Sequence, residues 1–211
     1  MAYTIVSDSV AIDTSRAPWM AVAQSAKAKG ITEEKDLAKF KDLVSLELAA
    51  IVNDLVEPYA FSHLPKRNPE IAQYLKSVNV SPTVKSTESG WQMHSWCAAF
   101  VNWCLVQASS PTLRNSRTVC NATAAAWMKF GTPMPAPVFG CVVVFKPMGS
   151  TGSSTGHVAF YTGRLKGKLI YVLGGNQSGK VQESGYSLDK VRGYRWPTEF
   201  NHLLTSSSPI A

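Results

Sequence analysis

At 211 residues, 45% apolar and 17% charged, the chain has the apolar content for one compact domain, and this composition excludes widespread disorder. The net charge of +7 favours polyanionic partners such as an acidic cell wall, but no dense Lys/Arg run or aromatic–basic signature occurs, so no nucleic-acid partner is expected. No apolar run reaches about 18 residues, so no membrane insertion is expected, and Met1 to Asp13 lacks the basic and continuously apolar regions of a secretory signal, which points to a product made in the cytoplasm.

In chain order, residues 17–29 predict a short helix, with Pro18 suited to its first turn and Gly30 to its stop. Residues 32–57 predict a longer one. Leu37, Phe40, Val44, Leu48, Ile51 and Leu55 recur at three- and four-residue steps, Thr32 can cap the start and Pro58 ends it. Residues 68–77 predict a third helix, and 79–90 read as a polar loop. The segment SWCAAFVNWCLVQA predicts a helix capped by Ser95, with Phe100, Val101, Cys104, Leu105 and Ala108 as its buried stripe. One more helix is expected over 121–129, after which Pro133, Pro135 and Pro137 forbid regular structure.

Beyond Gly140 the period becomes strand-like. CVVVF (141–145) reads as a buried strand, HVAFYTG (157–163) and KLIYVLG (168–174) as a pair joined by RLKG, and KVQES and VRGYRW as two further candidates. Helices first and strands afterwards predict an α+β fold, with helices packed on an antiparallel sheet.

Four cysteines occur, Cys97, Cys104, Cys120 and Cys141, none in a Cys-x-x-Cys pair, so neither zinc nor any other cofactor is expected and the thiols are expected to be free. Cys97 falls just inside a helix. Unpaired backbone N–H groups and the positive dipole end there favour the nucleophilic thiolate, and the same amides offer an oxyanion hole. Cys104 and Cys141, inside apolar runs, read as small buried hydrophobes. His157 opens a strand after a Gly/Ser-rich stretch, where an imidazole can reach a pocket and act as general base. His63, His94 and His202 sit in polar or Pro-flanked loops, though His94 is close enough to Cys97 to line a site.

With the hairpin turn centred near residues 165–166, register places the partner of His157 at about 174–176, so Asn176 is expected beside the imidazole. A turn asparagine is the alternative, and Gln177 takes the role if the register slips by one. Gln92 is either a loop residue or an oxyanion amide, and Trp91 and Trp96 are either cleft walls or core. GGNQSGK (174–180) matches part of a phosphate-binding loop, but Val181 stands where Ser or Thr is required and a strand follows instead of a helix.

The ordered blocks WCAAFVNWCL, GCVVVF, GHVAFYTG, YVLGGNQ and VRGYRWP, with APWMAVAQ and NPEIAQYL upstream, resemble the CHAP and NlpC-type peptidoglycan hydrolases of papain-like fold, over residues 17–29 and 68–197. The resemblance implies a cysteine hydrolase acting on peptidoglycan, with Cys97 as nucleophile, His157 as base and Asn176 as orienting residue. Residues 31–66 depart from it: a long amphipathic helix stands where similar proteins have a short Gly-rich connection, an elaboration of a single catalytic domain that packs on the domain, covers the cleft or binds a partner. Compactness and basic charge also resemble type VI secretion amidase effectors, which implies a cognate immunity protein, a secretion-system carrier and action in a target cell's periplasm. A phage lysin, a protease or acyltransferase on the same fold and a catalytically dead wall-binding module are the alternatives.

Overall fold

A computed structural model describes residues 14–32, 68–81, 85–87, 90–92, 95–109, 122–147 and 156–204. Apart from Thr32, the helix expected over 32–57 lies outside these residues, as do His63, His94 and Cys120. Three α-helices and two sheets are described, and the architecture is α+β as expected.

Helix α1 (Pro18–Ala28) begins with proline in its first turn and buries Trp19, Met20, Ala23 and Ala26, one stripe at helical spacing. Trp19 Nε1 donates to Gly140 O at 2.8 Å, tying this stripe to the approach to the sheet. Helix α2 (Pro69–Ser77) is capped by Asn68, whose side chain accepts from Glu70 N, and buries Ile71, Tyr74 and Leu75. Helix α3 (Cys97–Ala108) is buried nearly all round, because α1 and α2 cover one side and the sheet the other. Tyr74 of α2 meets the rings of Trp96, Phe100 and Trp103, and the buried Asn102 amide of α3 donates to Ser77 O and Oγ. These contacts fix the position of the mouth of α3.

Strands β1 (Lys85–Thr87) and β2 (Gly90–Gln92) pair as a small antiparallel sheet where a polar loop was expected. Three residues per strand are too few for a period-two pattern to show in sequence. The main sheet contains β3 (Thr132–Met134), β4 (Val142–Phe145), β5 (His157–Lys166), β6 (Leu169–Gln177), β7 (Lys180–Ser187) and β8 (Val191–Trp196), antiparallel in the order β3-β8-β4-β5-β6-β7. Pro133 stands inside β3 although its neighbourhood was expected to be irregular. β3 is an edge strand, and a proline there breaks no ladder on its open side. The expected helix at 121–129 is a 3₁₀ helix, Ala124–Lys129, lying against β4, β5 and β8.

Helix α3 packs on β5 and β6. The approach is so close at Gly175 that a Cβ there would lie 2.4 Å from Trp96 Cζ3 and 2.6 Å from Phe100 Cβ. Only glycine lets the helix settle on β6 at this point. The β6–β7 turn places Ser178 and Gly179 both at positive φ (53° and 73°), the conformation favoured in two-residue hairpin loops. The phosphate-loop look-alike is therefore a hairpin. No helix among the described residues is long and apolar enough to cross a membrane.

Candidate active site

The mouth of α3, the start of β5 and the end of β6 converge. Cys97 is the first residue of α3, and the first intrahelical bond runs from Phe100 N to Trp96 O at 2.9 Å. The amides of Cys97, Ala98 and Ala99 thus have no acceptor within the helix and point out of its positive end. Ser95 was expected to cap this helix. The cap is Trp96, without a side-chain bond, and Ser95 instead places its Oγ 3.7 Å from Cys97 Sγ.

β5 carries His157 as its first residue, paired with Phe145 of β4. The residue is 7% exposed, bears on the Cys97 thiol and lies 3.3 Å by Nε2 from Gln177 Oε1. An amide oxygen only accepts, so Nε2 carries a proton and Nδ1 is the nitrogen left for the thiol. The orientation of the Gln177 amide is itself determined: its Nε2 faces the carbonyl oxygens of Val172, Gly174 and Gln182, so Oε1 has to face the imidazole. The Gln182 side chain reciprocates by donating to Gln177 O at 2.8 Å.

This differs from the expected register. Asn176 does not hold the ring; its Nδ2 donates to Ser95 Oγ at 2.9 Å, and Gln177 occupies the position beside His157. The reason is local. The β6–β7 register shifts between Gly174 and Gln177, and Asn176 adopts φ 58°, so the strand's alternation breaks there and the next side chain is the one turned inward. The β5–β6 turn also lies at Gly167–Lys168, later than 165–166, with an irregularity between Tyr161 and Leu165.

Rings wall the imidazole. Phe145 stacks on it at 6.0 Å between centroids, Tyr186 lies at 5.3 Å, and Phe145 and Tyr186 meet each other at 4.9 Å. In a flat sheet, three ladder steps would hold β4 and β7 about 14 Å apart. The ring contact shows that the sheet curls over this end. Sequence reasoning missed Tyr186 because strand pattern alone does not reveal curl.

Burial pushes the Cys97 thiol up. The hydrogen bond and charge of His157, then the Ser95 hydroxyl and the Val158 amide, outweigh it and hold the thiol below its ordinary value. Burial leaves Cys104 well above its ordinary range and Cys141 at about 12, as expected of core thiols. Tyr186 is raised by burial first and then by the charge of Cys97. Among the other expected site residues, Trp96 is fully buried against Tyr74 and Phe100 and belongs to the core, Gln92 ends β2, and His94 lies outside the described residues.

A helix layer on a six-stranded antiparallel sheet, with a cysteine at the mouth of the central helix, is the α+β architecture of papain-like folds. Residues 88–176 match the family described as the CHAP domain, which supports the CHAP family for this chain. The matched stretch includes Cys97 and His157 and stops one residue before Gln177. No curated protein and no solved structure matches the chain.

Proposed function

We propose that the chain is a cysteine hydrolase that cuts amide bonds in the peptide stems of bacterial peptidoglycan. The CHAP match supports amidase or peptidase activity on peptidoglycan. The observation that carries the cysteine mechanism is the placement of His157 between the Cys97 thiol, which it holds below its ordinary range, and the Gln177 amide oxygen 3.3 Å from its Nε2.

In this mechanism His157 takes the Cys97 proton at Nδ1, and Sγ attacks the carbonyl carbon of the scissile amide. The oxyanion is met by the Cys97 amide at the helix mouth, a donor type worth roughly 10²–10³ in rate; Gln92 is a further candidate donor. Collapse returns the proton from His157 to the leaving amine and leaves a thioester. A water deprotonated by His157 then attacks the thioester carbonyl, and the thiolate leaves with the acid product. Gln177 holds the imidazole by its Nε2–H throughout, the part expected of Asn176. No step calls for a metal or organic cofactor.

The proposed setting is antibacterial. The chain resembles type VI secretion amidase effectors, among them the Vibrio effector TseH, and in that setting it acts in a target cell's periplasm, with a cognate immunity protein and a secretion-system carrier as partners. The test is to incubate purified sacculi with the protein and analyse the released muropeptides by mass spectrometry. Stem-peptide fragments that vanish with Cys97→Ala are expected. No release by the intact protein would overturn the substrate, and undiminished release by Cys97→Ala would overturn the mechanism. Periplasmic expression that harms cells equally with and without Cys97 would overturn the toxic role of catalysis.

A further inference from the structure

The imidazole is one flank of the thiol; the other flank is polar as well. Ser95 Oγ stands 3.7 Å from Cys97 Sγ and accepts from Asn176 Nδ2 at 2.9 Å. The direction of the second bond determines that of the first. A hydroxyl has one proton, and with an N–H from Asn176 pointing into its oxygen, that proton is turned away from Asn176 and is available to sulfur. A thiolate only accepts, so once Cys97 is ionised the Ser95 hydroxyl donates to it, and an oxygen that is itself accepting is a better donor. Asn176 adopts φ 58°, a conformation asparagine tolerates and most side chains do not, and this turns its amide toward the mouth of α3.

Resting on the reading of Cys97 as nucleophile, we propose that Asn176 and Ser95 form a positioning pair that stabilises the Cys97 thiolate independently of His157 and Gln177. Asn176 orients and polarises the Ser95 hydroxyl, and the hydroxyl contacts the sulfur. This gives Asn176 work at the site without contact to the ring it was expected to hold. Two titratable groups face Cys97 among the described residues, His157 from β5 and Tyr186 from β7. Both remain in place when the pair is altered, so a change in thiol titration reports on the pair.

The test is the pH dependence of iodoacetamide alkylation of Cys97 in the full chain, with the modified peptide identified by mass spectrometry; it needs no wall substrate. Ser95→Ala removes the donor and is expected to raise the titration midpoint by about one pH unit, the scale of one hydrogen bond to a charged group. Asn176→Asp tolerates the same backbone conformation but accepts the Ser95 proton and adds charge, so its midpoint rises at least as far. Asn176→Gly, which also suits φ 58°, gives a smaller rise, and Ser95→Thr restores the wild-type midpoint. Ser95 is exposed and Asn176 half-buried, so these variants should fold, which circular dichroism checks.

Wild-type midpoints in both Ser95→Ala and Asn176→Asp would overturn the proposal, as would a rise in Ser95→Ala that Ser95→Thr leaves uncorrected. His157→Ala separates this failure from failure of the functional reading. If His157→Ala moves the midpoint while the Ser95 and Asn176 variants do not, only the positioning pair falls. If His157→Ala also leaves it unmoved, the nucleophile assignment falls with it.

Discussion

Replacing Gln177 by alanine removes the one amide oxygen that meets His157 Nε2, at 3.3 Å, where the histidine is only 7% exposed. Water cannot readily take over. The ring N–H loses its partner, and an unmet buried group costs about 1–3 kcal/mol. During acyl transfer the ring becomes imidazolium, and a hydrogen bond to a charged group is worth about 1.5–3 kcal/mol. At 1.4 kcal/mol per tenfold, kcat/KM should fall by about 10- to 100-fold beyond any loss of folded protein. Gln177→Asn withdraws the amide by one methylene and should behave like alanine. The assay is initial-rate release of muropeptides, with thermal unfolding measured on the same preparations so that rates are compared at equal folded fraction. An unchanged kcat/KM in folded Gln177→Ala would refute the assignment of Gln177 as the orienting group.

Two further outcomes follow from packing and burial. At pH 7 in the native protein, iodoacetamide should modify Cys97 and leave Cys104 and Cys141 untouched until denaturant is added, because burial holds those two thiols protonated while His157 and Ser95 hold Cys97 below its ordinary range; the reactivity of Cys97 should fade as pH drops through its lowered titration, and mapping the labelled peptides checks this. Gly175→Ala puts a methyl 2.4 Å from Trp96 Cζ3, and overpacking of this kind costs about 1–3 kcal/mol, so its urea midpoint should drop, with activity falling alongside as the mouth of α3 lifts off β6.

The class of fold was legible because the apolar period changes once, from helical to strand-like, near Gly140. Helix α1 announced itself by Pro18 at its start, and β4 by its unbroken apolar run. Cys97 and His157 were legible because each sits where an element begins, and element starts are what capping and periodicity mark best. For the residue beside the imidazole the alternation favoured Asn176, with Gln177 as the substitute for a slip of one, and Gln177 is the one the structure puts there. A single left-handed residue at Asn176 decides between the two by turning the next side chain inward, and a one-dimensional alternation does not show where such a residue falls. Ser95 was read as a helix cap because its position suits one; its contact with sulfur depends on Trp96 taking that place. Tyr186 was invisible for a different reason: it reaches His157 through the curl of the sheet, which brings together strands that are not neighbours in the ladder.

The reciprocal pairing of Gln177 with Gln182 spans only the turn at Ser178–Gly179. A hairpin this local closes in about 1–10 μs, whereas joining residue 97 to residue 157 means closing a loop of sixty positions. The acceptor for the imidazole is thus held by contacts local to its own hairpin. Helix α3 brings the sulfur and β5 the ring to a seat whose own contacts lie within β6 and β7.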